Sequence, residues 1–244
     1  MTAIIGILCD DGVVIGADSS ATFGTPTTPT IEQQCEKITI INDKVILAGA
    51  GAVGSNQRFA EVIKQGWQNG IFNGSGINVA RTLCRNFLDD LQYTHARVLE
   101  NGALVAFPSN GNFYLTEFPI TNFQPEMKDR NLWYSSMGNN MVITDSFLGF
   151  MREVFWKNGP PKLNQGIFAV VWTLNHVIQV NVGGVNKPKR VAVLEMVGGE
   201  LKARMLEQSE IDEHRQNVMD AQKHLNDYLS ASRTGAVEEI PTPP

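Results

Sequence analysis

Cysteine is scarce in this chain: Cys9, Cys35 and Cys84 are the only three in 244 residues, they form no close-spaced pair, and no histidine stands near them. Neither a disulfide scaffold nor a Cys/His zinc site fits that spacing. The four histidines, His95, His176, His214 and His224, form no cluster and read as structural or solvated. A basic excess is missing too. Twenty Lys and Arg against 25 Asp and Glu leave a net charge of −5 and a pI near 5.4, so nothing draws the chain to a phosphate backbone or an anionic membrane. Nucleic acid and membrane are not expected partners. Long apolar runs are also lacking. Ala3 to Leu8 is too short for a signal segment and runs into Asp10 and Asp11, while Gly166 to Val180 is broken by Asn175 and His176 and falls short of the roughly 20 residues needed to span a bilayer. A reduced, cytoplasmic location is expected.

What is present is an ordinary globular composition, 43% hydrophobic and 18% charged, long enough to bury one continuous core without staples. β-Branched runs pair across turn signals. Ala3 to Leu8 and Val13 to Ala17 flank Asp10-Asp11-Gly12; Lys37 to Ile41 and Lys44 to Ala48 flank Asn42-Asp43; Ala103 to Pro108 and Phe113 to Phe118 flank Ser109 to Asn112. A Thr- and Pro-rich loop is expected between the first two hairpins. Helices are predicted over Ser55 to Trp67, with Ser55 as cap, and over Ile77 to about Leu99. Further helices are expected over Val142 to Trp156 and Asn164 to about Asn175, split by Asn158-Gly159-Pro160-Pro161. Strands over Trp133 to Met137, Arg190 to Met196 and Glu200 to Leu206 and a helix over Ser209 to Leu229 complete the set. No βαβ alternation occurs, so the sheets should be antiparallel with helices layered outside them. The expected division is a domain over 1–207, a C-terminal helix over 208–231 and a flexible tail over 232–244.

Gly49-Ala50-Gly51-Ala52-Val53-Gly54 matches G-x-G-x-x-G, the dinucleotide fingerprint. That fingerprint needs a βαβ unit with an acidic residue about 20 positions on, and here a helix leads into another helix. Close approach of strand and helix explains the glycines better. A different chemistry starts from Thr2. A free N-terminal threonine carries nucleophile and base together, because its α-amino group, with a pKa of about 8, can take the Oγ proton. Antiparallel pairing would bring Asp18, at the end of the second strand, and Lys37, at the start of the third, to the same sheet end. A lysine there would lower the amine's pKa, and the aspartate would hold the lysine. No G-x-S-x-G elbow and no histidine triad competes.

Ala17 to Gly24 reads ADSSATFG and Lys37 to Gly51 reads KITIINDKVILAGAG. With Thr2, these segments resemble proteasome β-subunits, the bacterial HslV peptidase and related bacterial homologues, coarsely over Thr2 to Leu206. The resemblance implies an α+β, four-layer αββα sandwich of the N-terminal-nucleophile hydrolases, with an added C-terminal helix. It implies Thr2 as nucleophile once Met1 is removed, Asp18 and Lys37 as its partners, and Gly49 as the oxyanion donor. Thr22, Leu47 and Gly51 would line the substrate, an extended peptide or unfolded protein held as an added strand. No metal or cofactor is implied. Stacked homo-oligomeric rings are, together with room for an ATP-dependent unfoldase as partner.

Two departures bear on turnover. Where the family carries Gly-Ser-Gly, this chain has Ser136 to Asn140, with Asn139 at the serine; where it carries Arg-Asp-x-x-Ser-Gly, Asn181 and Gly184 stand at the Asp and Ser. An amide hydrogen-bonds but does not relay a proton as a hydroxyl or carboxylate does. An amidase acting on a small molecule, and a catalytically idle ring component, are the alternative readings.

Overall fold

The computed structural model describes residues 2–25, 28–96, 101–180, 185, 186 and 188–233. Ile4–Cys9 (β1) and Gly12–Asp18 (β2) form the first hairpin, with Ile4 opposite Ala17. Tyr134–Met137 (β10) lies on the other side of β1, and Lys189–Val197 (β11) and Glu200–Met205 (β12) extend the sheet beyond β2, giving the order β10-β1-β2-β11-β12. A second sheet runs Ile38–Ile41 (β5), Val45–Gly51 (β6), Asn101–Ser109 (β7), Asn112–Phe118 (β8) and Glu126–Met127 (β9), in chain order and antiparallel throughout. Its tight turns use left-handed backbone at Asn42 and Asp43, both with φ 52°, and at Asn110 and Gly111, with φ 49° and 76°. Those are the conformations a two-residue hairpin requires.

Alternation assigns the faces. Val13, Ile15 and Ala17 of β2 meet Ile46, Ala48, Leu104 and Ala106 between the sheets. Val14 of β2 and Ile5 and Ile7 of β1 face Leu163–Val180 (α4), behind which lie Met141–Phe155 (α3) and Gln208–Arg233 (α5). Leu47, Val105 and Phe107 face Val53–Gln68 (α1) and Gly76–Tyr93 (α2), where Phe59, Phe87, Phe118 and Phe123 form an aromatic cluster. The layers are helix, sheet, sheet, helix, so the α+β sandwich expected from the sequence is the observed fold.

Several elements differ from expectation. The Thr/Pro segment is a two-stranded ribbon, Ser20–Thr25 (β3) against Thr28–Gln34 (β4), not a loop. The N-cap of α1 is Ala52 and makes no side-chain cap, so Ser55 lies inside the helix. α2 ends at Tyr93, where Thr94, His95 and Ala96 turn their N–H groups back onto Leu91 and Gln92; Val98 and Leu99 lie outside the described residues. α4 runs on to Val180, and the short β9 was not signalled.

Candidate active site

The start of β1, the end of β2 and the end of β10 meet at one edge of the first sheet. Extending the register from Ile4↔Ala17 and Ile4↔Met137 places Thr2 opposite Ser19 on one side and Asn139 on the other. Gly138 touches Thr2 so closely that a Cβ on it would fall on the Thr2 carbonyl, and its φ of 108° is open to glycine alone at little cost.

Asp18 is fully buried. Its Oδ1 accepts from the Ala3 N–H at 2.9 Å and from Lys37 Nζ at 2.7 Å, and its Oδ2 accepts from the Ser20 N–H at 3.0 Å. One carboxylate thus fixes the residue after Thr2 and the lysine together. The Lys37 side chain is only 7% exposed, so the ion pair is desolvated and weakly screened. Cys35, two residues before Lys37, hangs its N–H on the Ser19 carbonyl. Burial pushes its thiol above the ordinary range, Lys37 pulling the other way and Asp18 adding to the rise; it is not poised as a rival thiolate nucleophile.

Gly49 is engaged rather than free. Its N–H donates to the Lys37 carbonyl at 3.2 Å, and a Cβ on it would collide with the carboxamide of Asn56 on α1. Alternate N–H groups of a strand point to the same neighbour, so the N–H of Gly51 aims at the same edge. The β5–β6 ladder closes at Ile38↔Ala48, and Gly51, with φ 100°, stands exposed beyond it. Leu47 is 3% exposed and packs in the cluster under α1; that site for substrate contact is corrected, since alternation turns residue 47 inward. The backbone of Thr22 lies in β3 opposite Glu32. Asn139 is exposed, and Asn181 and Gly184 lie outside the described residues. The G-x-G-x-x-G segment is the end of β6 and the start of α1, and β6 pairs antiparallel with β5 and β7, so no βαβ unit exists to use it. Among the described residues no group of three or more His, Cys, Asp or Glu is placed to hold a metal ion, and no helix is long and apolar enough to cross a membrane.

Sequence reasoning missed Asn140 and Ser19. Both are buried at this edge with a side-chain atom that has no hydrogen-bond partner, Asn140 Nδ2 and Ser19 Oγ.

A sandwich of two antiparallel sheets between helices, with a charged pair held beside the first strand's N-terminal end, defines the N-terminal-nucleophile hydrolase class. The whole fold overlays that of the Anbu Gly-1 mutant from Hyphomicrobium sp. strain MC1, with a TM-score of 0.69 over 99% of this chain and 100% of that one at 11% identity. The proteasome subunit family model matches residues 2–119. The proteasome subunit beta of Nanoarchaeum equitans (strain Kin4-M) is 33% identical over 150 residues, 59% of this chain and 70% of that one. Proteasome subunit beta 1 of Thermococcus gammatolerans is 42% identical over 53 residues, 22% of this chain and 25% of that one. The chain belongs to the proteasome subunit family.

Proposed function

We propose that the chain is a threonine peptidase that uses Thr2, freed by loss of Met1, to hydrolyse peptide bonds. The observation that carries this reading is the buried Asp18 carboxylate bridging Lys37 Nζ and the Ala3 N–H. It sets the lysine beside the residue at which a free amine and a hydroxyl would coexist. The charge favours the neutral amine, which takes the Oγ proton as Oγ attacks the scissile carbonyl. The resulting ammonium returns that proton to the leaving amine. Oxyanion stabilisation falls to a backbone donor on β6. Gly51 fits that role better than Gly49, whose N–H already serves the Lys37 carbonyl. The free edge of β6 beyond β5, facing the β3 backbone at Thr22, accepts the substrate as an extended strand.

Assembly into stacked homo-oligomeric rings, with Thr2 facing an internal chamber, goes with this activity. The relatives above are named as subunits, and a groove that accepts extended backbone is safest enclosed. Rings form when one patch binds a different patch on the next copy and the rotation closes; α1, α3 and α5 carry the surfaces for it.

The decisive experiment is intact mass before and after a hydroxyl-acylating β-lactone. Protein lacking Met1 should gain one adduct per chain on Thr2. Thr2→Ala and Met1-retaining protein should gain none and cleave no peptide, with fold and assembly kept. A Thr2→Ala chain that still labels and cleaves would move the nucleophile elsewhere.

A further inference from the structure

Far from β6, the helices α3, α4 and α5 leave between them a cleft of about 340 Å³. Three rings wall it: Phe155 and Trp156 at the C-terminal end of α3, and Phe168 on α4. Phe155 is 48% exposed, although a ring of that size gains most when covered. The other lining residues are Asn164 and Gln165 of α4 and His214 and Asn217 of α5. None of these four is acidic, and each has an N–H to give. Gln165 turns its Oε1 onto the Lys162 N–H at 3.0 Å, which leaves its NH2 group to donate elsewhere. His214 is only 8% exposed, and its Nδ1 is buried with no hydrogen-bond partner among the described residues.

Rings set among donors suit one kind of segment. A proline-rich stretch in the polyproline II form keeps its carbonyls free of internal hydrogen bonds and packs its pyrrolidines on aromatic faces, and proline has no N–H of its own to offer. Such a site needs donors and rings. The chain carries a P-x-x-P sequence of this kind at Pro241-Thr242-Pro243-Pro244. Reach and charge both favour it as the occupant. From Asn217 in the cleft to Arg233, the last residue of α5, the helix covers about 24 Å at about 1.5 Å per residue. Residues 234–240, when extended, cover about 23 Å, so a chain that reverses at Gly235 brings Pro241 to the cleft mouth. Glu238 and Glu239 then arrive where Lys157 and Lys162 flank the lining residues in sequence. Those lysines are 74% and 64% exposed and hold their carboxylate partners, Glu153 at 4.0 Å and Asp10 at 3.6 Å, loosely enough to turn to a new one.

We propose that the cleft between α3, α4 and α5 is a polyproline-recognition site, and that its occupant is the chain's own Pro241-Thr242-Pro243-Pro244, folded back along α5. The inference stands apart from the peptidase reading. With three residues per turn, Pro241 and Pro244 share one face of the segment and pack on Phe155, Trp156 and Phe168. The carbonyls between them accept from Asn164, Gln165 and Asn217, and a His214 protonated on Nδ1 donates to the carbonyl nearest α5. Filling the cleft in this way takes the Phe155 ring out of water and gives the buried imidazole its missing partner. The pairing of Glu238 and Glu239 with Lys157 and Lys162 sets the direction in which the segment enters, and weakens as salt rises.

Fluorine NMR of the full chain carrying 5-fluorotryptophan reads the cleft directly, with the Trp156 resonance assigned by its loss in Trp156→Phe. Replacing Pro241, Pro243 and Pro244 together by Ala should shift that resonance and leave the one from Trp67, which packs on Phe72 under the other sheet, where it was. A synthetic peptide of residues 236–244 should then bind the substituted chain and return the resonance to its original place, at an affinity at least tenfold above that for the wild-type chain, whose tethered tail already fills the cleft. Phe168→Ala should weaken the peptide about tenfold; Asn217→Asp, an exposed change that swaps a donor for an acceptor and leaves the core alone, should weaken it about threefold to tenfold and covers the case in which Phe168→Ala fails to fold. A Trp156 resonance indifferent to the three proline substitutions, or a peptide that binds the Asn217→Asp chain as well as its parent, would overturn the site. A wild-type resonance that shifts on dilution would give the tail to a neighbouring copy and overturn the assignment to the chain's own.

Discussion

Asp18 shows how one residue ties stability to the site. It receives three hydrogen bonds with no exposed surface, so removing one partner strands a charge. Lys37→Ala should cost about 3–5 kcal/mol, because the carboxylate stays buried and unpaired. Asp18→Ala combined with Lys37→Ala should recover part of that loss in urea unfolding and none of the activity; a double variant as unstable as the sum of the singles would show that the two do not act as a pair. Asp145 on α3 is a separate case. Burial, then nearby Glu117, pushes its carboxyl above the ordinary range, while the hydrogen bond from Ser136 Oγ at 2.6 Å and the Lys128 charge pull it down. The folded chain therefore holds this proton more tightly than the unfolded chain. Its ionisation costs stability as pH rises from the unfolded carboxylate value of about 4 through the higher folded value. Asp145→Asn, which still accepts from Ser136, should flatten that slope between pH 4 and 7 and be no less stable at pH 7, as read from urea midpoints. Asp18 and Lys37 were legible in the sequence because strand ends follow from hairpin signals. That the Lys37 carbonyl takes the Gly49 N–H was not. Two glycines two apart are equivalent by alternation, and only the end of the β5 ladder separates them. Asn140 was hidden for a related reason, since periodicity cannot say which of two adjacent amides turns inward at a helix start.

At the scale of elements, period and turn chemistry carried most of the reading. β1, β2, β5, β6, β7 and β8 lie within about three residues of their expected ends. The β3–β4 ribbon was missed because Thr, Pro and Gly there spoil the alternating pattern, and its strands pair only with each other. How closely α4 lies on the first sheet is also invisible in hydropathy. It depends on missing side chains: a Cβ on Gly16 would collide with Val170, and one on Gly166 would lie 2.5 Å from Cys9 Sγ. Gly166→Ala should push the first turn of α4 off the sheet and cost about 1–3 kcal/mol. Cys9→Ala, which removes the opposing sulfur, should recover much of that cost in the double variant. Additive losses would mean that the strain lies against Val14 or Ile7 instead.

For the whole molecule, the four layers and three apolar clusters close around positions that the sequence already marked as alternating. α5 carries an apolar stripe that bears on assembly. Ile211, His214, Val218, Ala221, Leu225 and Tyr228 recur at alternating steps of three and four, the spacing of one helix face. The first three are buried on their own domain and Ala221 packs against the same cluster. From Gln222 to Ser230 every residue is exposed, with Leu225 at 54%, Tyr228 at 49% and Leu229 at 60%. The same stripe thus changes from core to bare surface partway along one continuous helix. A partner that covers its outer half would bury apolar area the fold alone leaves in water, and a second copy suits a chain whose relatives are subunits. Two truncations separate the halves. A chain ending at Glu207 loses Ile211, His214 and Val218 from the core and should unfold at markedly lower urea. One ending at Ala221 keeps those contacts, so its unfolding midpoint should stay near that of the full chain at equal monomer concentration, while native mass spectrometry should show the largest assembly weakened or lost. If the Ala221 chain assembled like the full-length protein, the outer stripe would have no part in joining subunits, and α1 and α3 would have to supply the contacts by themselves.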